Sequence, residues 1–372
     1  MTRTMCGIVG PHILRALAER GEGRARVSAQ RTLDQDAVFR ARRSSLRPLH
    51  QTAWGSGFVA TRLLGARRGQ TEAGVVDRTI YDARHTTRLP GWEVRAEGDP
   101  PTGDDEADEA YDYLGDTYTF YLQAYGRDSI DDAGLPLVGT VHYDIDYDNA
   151  FWDGSQMVFG DGDGEVFNRF TVAVDVIGHE LTHGVTDSTA GLIYWGQSGA
   201  LNESVSDAFG SMVKQAVLGQ TADEADWLIG EGLLTDQVNG VALRSMLNPG
   251  TAYDDPALGG RDPQPADMSG YVHTSQDNGG VHLNSGIPNR AFALAAVEIG
   301  GNAWESVGEV WYDTLTSPAL RPFTQFAGFA RLTVQMASQR FGTSSMEAQA
   351  VRDAWNEVGV RVRNPAQLAS RF

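Results

Sequence analysis

Apolar side chains recur at helical spacing near the start of the chain. Ile13, Leu14, Leu17 and Ala18 make a short stripe, and residues 27–39 make a weaker second one, so residues 11–41 read as helical. Residues 40–48 are polar and arginine-rich and read as a linker open to proteolysis. Between residues 55 and 98 the pattern shifts to short β-branched and aromatic runs broken by Gly, Pro and Asp, such as residues 75–81, which predicts twisted antiparallel strands. Residues 104–125 return to helical spacing through Tyr111, Leu114, Tyr118, Tyr121 and Leu122, with acids in the first turns where the macrodipole favours them. Strands are predicted again at residues 138–147, and a hairpin with a Gly/Asp turn at residues 157–167. Residues 172–188 predict a helix that contains Gly178, at a cost of about 1 kcal/mol that close packing against a neighbouring backbone would offset. Beyond Leu192 the chain reads as mostly helical, with amphipathic segments at residues 289–299, 304–315, 323–341 and 346–358 and no repeats. The plan is α+β: a helical N-terminal segment, a β-rich lobe, a central helix and a helical lobe, with a site expected between the lobes.

Composition adds bounds to this plan. The chain has 372 residues, 41% hydrophobic and 21% charged, enough to bury a sizeable core in two or three domains. It holds no apolar run long enough to span a membrane. The N-terminus reaches Pro11 and His12 before an apolar h-region can form, so no ordinary secretory signal is expected. Cys6 is the single cysteine, which excludes an internal disulfide; it reads as a small buried apolar residue more readily than as a thiolate capping a metal in a latent form. Residues 1–50 carry ten Arg against four acids, +6, which leaves −25 for the rest of a chain whose net charge is −19. A basic arm beside an acidic body predicts intramolecular docking and argues against nucleic acid as a partner.

The chemistry concentrates in residues 175–184. His179 and His183 lie four apart, so one helical face aims both imidazoles at one point where a metal ion fits. Glu180 sets a carboxylate beside that point, placed to take a proton from water. A catalytic zinc needs a third protein ligand. Positions 186 and 189 are both Thr, so a third histidine does not follow at the spacing of an H-E-x-x-H-x-x-G-x-x-H site. Glu203, in the helical stretch 199–207, fits instead, and Asp207 one turn later can accept the outer N–H of His179. Asp161 and Asp163 invite a calcium reading, but the EF-hand order is not met and a plain turn is favoured.

Several motifs together resemble the thermolysin family of neutral metalloproteases, and its protealysin-like branch with a short N-terminal propeptide. They are Asn-Ala-Phe-Trp at 149–152, the Gly/Asp-rich run 154–164, His-Glu-Leu-Thr-His at 179–183, Gly-Ala-Leu-Asn-Glu at 199–203, Leu-Arg-Ser-Met at 243–246 and Asp-Asn-Gly-Gly-Val-His-Leu-Asn-Ser-Gly-Ile at 277–287. The match in the N-terminal segment is shorter, and His12 stands where the family has a second proline.

The resemblance implies a two-lobe fold with a propeptide over residues 1–45, a β-rich catalytic lobe over 46–190 and a helical lobe over 191–372. It implies zinc on His179, His183 and Glu203, with Asn202 and Asp207 behind them. Glu180 would be the base, His282 and Tyr194 would donate to the oxyanion, and Asp277 would hold His282. Asn149, Ala150 and Arg244 would bind substrate backbone, and Phe167, Phe170, Val176, Leu233 and Leu243 would line a pocket for a bulky hydrophobic residue. Asp175, Asp226 and Glu231 match calcium ligands of the family, but Lys214 and Leu228 stand where others would be, so at most one calcium is expected there. Peptide and protein substrates, the chain's own propeptide as inhibitor, a monomeric state, and secretion, with a cytoplasmic alternative, complete the expectation. An inactive zinc-containing binding module is a rival, and so is an aminopeptidase, for which the chain lacks a G-A-M-E-N-like stretch.

Overall fold

The computed structural model describes residues 7–45 and 74–362. Cys6, the end of the expected linker and the strands expected before residue 74 lie outside the described residues.

Helix α1, Pro11–Arg20, starts with Pro at its first position, where no N–H is needed, and buries Ile13, Leu14 and Leu17. Helix α2, Gly23–Ser45, runs past residue 40, where a linker was expected. Arginine is a good helix former, so polarity alone does not end a helix.

Five strands follow: β1 Arg78–Thr86, β2 Trp92–Ala96, β3 Leu137–Tyr143, β4 Ala150–Trp152 and β5 Met157–Phe159, in the spatial order β2-β1-β3-β5-β4. The sheet is mixed and not antiparallel throughout: β1 pairs parallel with β3, and β3 parallel with β5. A parallel pair needs a long crossover, which helix α3, Asp105–Tyr125, provides between β1 and β3. Asp104 caps α3 by accepting the Ala107 N–H at 3.1 Å, and Gly126 ends it at φ 64°.

The hairpin expected at residues 157–167 does not form. Strand β5 turns back on β4 through Asp153, whose Oδ1 accepts from Ser155 N and Gln156 N at 2.7 and 2.9 Å. After β5 the chain leaves the sheet, because buried Asp163 Oδ1 collects the N–H groups of Glu165, Val166 and Phe167 at 2.9, 2.7 and 2.9 Å. Asp163 therefore organises a turn.

Helices α4, Val174–Ser188, and α5, Gly196–Leu218, form the centre. A Cβ on Gly178 would lie 3.1 Å from Gly210 Cα, and one on Gly210 would lie 2.4 Å from the Asp175 carbonyl oxygen. The two glycines let the backbones approach, which is the packing that offsets glycine's cost inside a helix.

The stretch after α5 departs from the mainly helical expectation. It carries two short antiparallel ribbons, β6 Leu228–Ile229 with β7 Arg244–Ser245, and β8 Asp254–Asp255 with β9 Gly260–Arg261, in sequence dense in Gly, Pro and Asp. Helices α6 Asp277–Asn284, α7 Gly286–Ile299, α8 Val307–Thr316, α9 Phe326–Phe341 and α10 Met346–Glu357 then close the second lobe. Its core includes Phe292, Phe329 and the stacked rings of Trp311 and Trp355, whose centroids lie 6.2 Å apart. Among the described residues no helix is long and apolar enough to cross a membrane.

Candidate active site

Helix α4 is buried from Val174 to Thr186, so its polar side chains need partners within the protein. His179 and His183 find them on both ring edges. Their Nε2 atoms face each other at 3.0 Å, and their Nδ1 atoms are held from behind, by Asp207 Oδ1 at 2.8 Å and Asn202 Oδ1 at 2.8 Å. Those outer partners fix both rings with Nε2 turned inward.

Glu203, on α5, completes the triangle: Oε2 is 3.6 Å from His179 Nε2, and Oε1 is 3.4 Å from His183 Nε2. Two imidazole nitrogens and a carboxylate at such separations can share one ion at bonds of about 2.0–2.2 Å. Glu203 Oε2 is buried and accepts no hydrogen bond among the described residues, an expensive arrangement that a bound cation would resolve. Burial opposes the charge of Glu203, yet His282, His183, His179 and Arg244 outweigh it and bring its pKa down to about 2. Burial lowers His183 to about 4, which keeps a free lone pair on the ring. The donor set of two imidazoles and one carboxylate suits zinc.

Glu180 lies beside this triangle. Its Oε2 accepts the Trp152 N–H of β4 at 3.0 Å, and its Oε1 is buried with no partner among the described residues. Burial, and then the charge of Glu203, push its pKa well above the ordinary carboxylate range.

His282 stands on α6, directly after the pair Gly279-Gly280 and Val281. Asp277, Asn278, Gly279 and Gly280 take φ values of 50°, 49°, 87° and 76°, a left-handed turn that glycine and Asn/Asp tolerate, before the right-handed helix begins. The turn folds Asp277 back onto His282: Oδ2 accepts the His282 N–H at 2.9 Å, and Oδ1 meets Nδ1 at 2.7 Å. Burial works against a charged His282, but Asp277 and Glu203 prevail and raise its pKa to about 9. Tyr194 donates to Glu203 Oε1, and its hydroxyl lies 3.4 Å from His282 Nε2.

The N-terminal segment occupies the groove in front of these groups. Gly7 bridges Phe151 of β4 in antiparallel sense, and Ile8 N donates to Ala150 O at 3.1 Å. Val9 N donates to Asn149 Oδ1 at 3.0 Å, and Arg244 Nη1 donates to Ile8 O at 2.9 Å. Gly7 O lies 3.2 Å from His282 Nε2. A Cβ on Gly7 would lie 2.3 Å from Asn149 Nδ2, so no larger residue fits there unchanged. The contribution of Gly7, Ile8 and Val9 went unread in the sequence; two β-branched residues between glycines just before Pro11 were the available signal of an extended strand.

The expected pocket residues come together. Phe167 and Phe170 touch with ring centroids 5.6 Å apart, and Leu233 and Leu243 both close on Gly230. With Val176 and Ile8 they are buried in one apolar cluster. The expected calcium residues meet a lysine instead: Lys214 Nζ donates to Asp226 Oδ2 at 2.7 Å and Glu231 Oε2 at 2.9 Å. Asp175, which accepts the Gly230 N–H at 3.1 Å, also feels the Lys214 charge.

Comparison with known proteins agrees with this geometry. Residues 68–187 match the family described as thermolysin metallopeptidase, catalytic domain, and residues 190–360 match thermolysin metallopeptidase, alpha-helical domain. The chain belongs to the thermolysin family of metallopeptidases. It is 52% identical over 362 residues to an extracellular metalloprotease of Pectobacterium carotovorum subsp. carotovorum, covering 97% of this chain and 98% of that one. Protease PrtS of Photorhabdus sp. (strain Az29) is 54% identical over 288 residues, 77% of each chain. Among solved structures, the precursor of protealysin, a metalloproteinase from Serratia proteamaculans, superimposes with a TM-score of 0.83 at 55% identity, covering 95% of this chain and 99% of that one. This thermolysin-family chain is a metalloendopeptidase of the protealysin-like branch, with the family's α+β fold.

Proposed function

We propose that the protein is a zinc endopeptidase made as a latent precursor, cutting peptide bonds on the N-terminal side of bulky hydrophobic residues and removing its own propeptide, residues 1 to about 45. His179, His183 and Glu203 would hold the zinc, with Asn202 and Asp207 fixing the histidines. When bound, zinc supplies a Lewis acid for the peptide carbonyl and makes a nearby water more acidic. Glu180 takes the proton of the attacking water and passes it to the departing amine. His282, oriented by Asp277, and Tyr194 donate to the oxygen that becomes negative. Asn149, Ala150 and Arg244 grip the substrate backbone on either side of the scissile bond.

One observation carries this reading: the Gly7–Ile8 peptide lies across the site as a substrate would. Its carbonyl faces His282 Nε2 at 3.2 Å, the next carbonyl receives Arg244 at 2.9 Å, and Ile8 is fully buried in the same apolar core as the expected pocket residues. The same contacts make the segment an inhibitor, since it fills the groove that substrates need. No calcium is assigned to Asp175, Asp226 and Glu231, because Lys214 already supplies a cation there. Relatives named as extracellular support work outside the cell.

Mass spectrometry over time tests the scheme. The wild-type chain should shorten to a mature form, Glu180→Ala should stay whole while still binding zinc at the catalytic centre, and phenanthroline should abolish casein hydrolysis. Efficient trimming by Glu180→Ala, or a peptide library cut mainly beside charged residues, would overturn it.

A further inference from the structure

A second group of metal-capable side chains sits away from the catalytic centre, at one end of the sheet. Strands β1, β3 and β5 are neighbours running parallel, and each delivers one such residue at or just past its C-terminal end: His85, His142 and Asp161. Asp161 spends one oxygen on each ring, with Oδ2 3.2 Å from His85 Nδ1 and Oδ1 3.0 Å from His142 Nδ1. The two imidazoles are tilted neighbours, with centroids 5.4 Å apart.

A structural ion pair needs only one histidine. Asp104 already gives His142 a carboxylate at 3.0 Å from Nε2, so one imidazole is secured without His85. Yet His85 also turns its Nδ1 inward while its side chain is 59% exposed and free to point to water. Both histidines adopt left-handed backbone, φ 55° and 52°, a conformation unfavourable for residues with a side chain and concentrated where a site demands it.

We propose that His85 Nδ1, His142 Nδ1 and Asp161 form a second metal site that takes a divalent transition ion of the zinc class. The three ligand atoms lie within 4.8 Å of one another, close enough to share one ion with the remaining positions left to solvent. Two imidazoles and a carboxylate select borderline ions such as zinc over calcium or magnesium. Asp104 accepts the Nε2–H of His142, which leaves Nδ1 as the coordinating atom, the carboxylate–histidine–metal arrangement. The ion staples the ends of three parallel strands and the N-terminus of α3.

Calorimetric titration of Zn2+ into the full chain, already loaded with zinc at the catalytic centre and held intact by Glu180→Ala, tests the site. One further zinc per chain is expected. His85→Ala, a change at an exposed side chain, should weaken that event tenfold or more, and Asp104→Asn by about tenfold. Failure to bind a second zinc overturns the proposal, as does a second zinc bound equally well by His85→Ala.

Discussion

At the scale of single residues, Asp207 joins two tasks. Its Oδ1 holds His179 Nδ1 at 2.8 Å, and it also receives Arg244 Nε and Nη2 at 3.0 and 2.8 Å and Asn289 Nδ2 at 2.8 Å. His179 and Arg244, proposed as metal ligand and backbone clamp, therefore share one buried carboxylate, which Arg244 and His179 keep ionised against the cost of burial. Asp207→Asn is expected to lower zinc affinity about 10–100-fold, read by competition with a chelator, and to raise KM as Arg244 loses its anchor. Half of this was legible in the sequence. The spacing of Asp207 from Glu203 pointed to His179, but Arg244 arrives from β7, and no local spacing connects a helix to a strand of another segment. Lys214 gives a second residue-scale expectation. Lys214→Ala leaves Asp175, Asp226 and Glu231 facing one another, so melting temperature should fall, and added calcium should restore it by taking the ammonium's place. Thermal melts with and without calcium decide this.

At the scale of elements, the helices were the readable part. Helix α3 had both its stripe and its Asp104 and Gly126 caps written locally, and α4 had the histidine spacing. Strand direction was not readable, because a short apolar run does not name its partner; the crossover through α3 sets β1 parallel to β3. The left-handed turn before α6 hid for another reason: Asn-Gly-Gly signals irregular backbone, but not that the irregularity would carry Asp277 onto His282. The crossing of α4 and α5 yields a quantitative expectation. Gly210→Ala would set a methyl 2.4 Å from the Asp175 carbonyl oxygen, so the helices must separate at a cost of about 1–3 kcal/mol, measurable by denaturant unfolding. Because the same helices carry His179, His183 and Glu203, this variant should also bind zinc more weakly.

At the scale of the whole molecule, the charge asymmetry foretold a docked basic arm, but the contact is less electrostatic than the composition implied. Arg24 pairs with Asp146, whereas the rest of the described seam rests on buried Leu14, Leu17 and Ala29 and on hydrogen bonds such as Ser28 to Asp148 and Tyr147 to Asp36. Net charge reports attraction, not which atoms meet. The docked segment buries Asp148 near Asp163, and that burial, followed by repulsion from Asp163, holds the Asp148 carboxyl well above its ordinary range. The docked form thus keeps a proton that an uncovered Asp148 releases near its usual pKa of about 3.9. Its contribution to docking is complete below that value and is lost as pH rises through the raised one. A peptide of residues 1–45 should therefore inhibit the mature enzyme more tightly in mild acid than in mild alkali, and Asp148→Asn should flatten the difference in inhibition constant. Finally, Gly7 to Val9 lie against β4, an edge strand of the sheet, through an antiparallel bridge to Phe151 and the Ile8 N–H to Ala150 O bond. If substrates add to the same sheet rim, as proposed, they must offer a length of chain whose amides are not already engaged. On that reading compactly folded neighbours, finished copies of itself included, would offer no such ribbon and be spared, while frayed loops and denatured chains would be consumed.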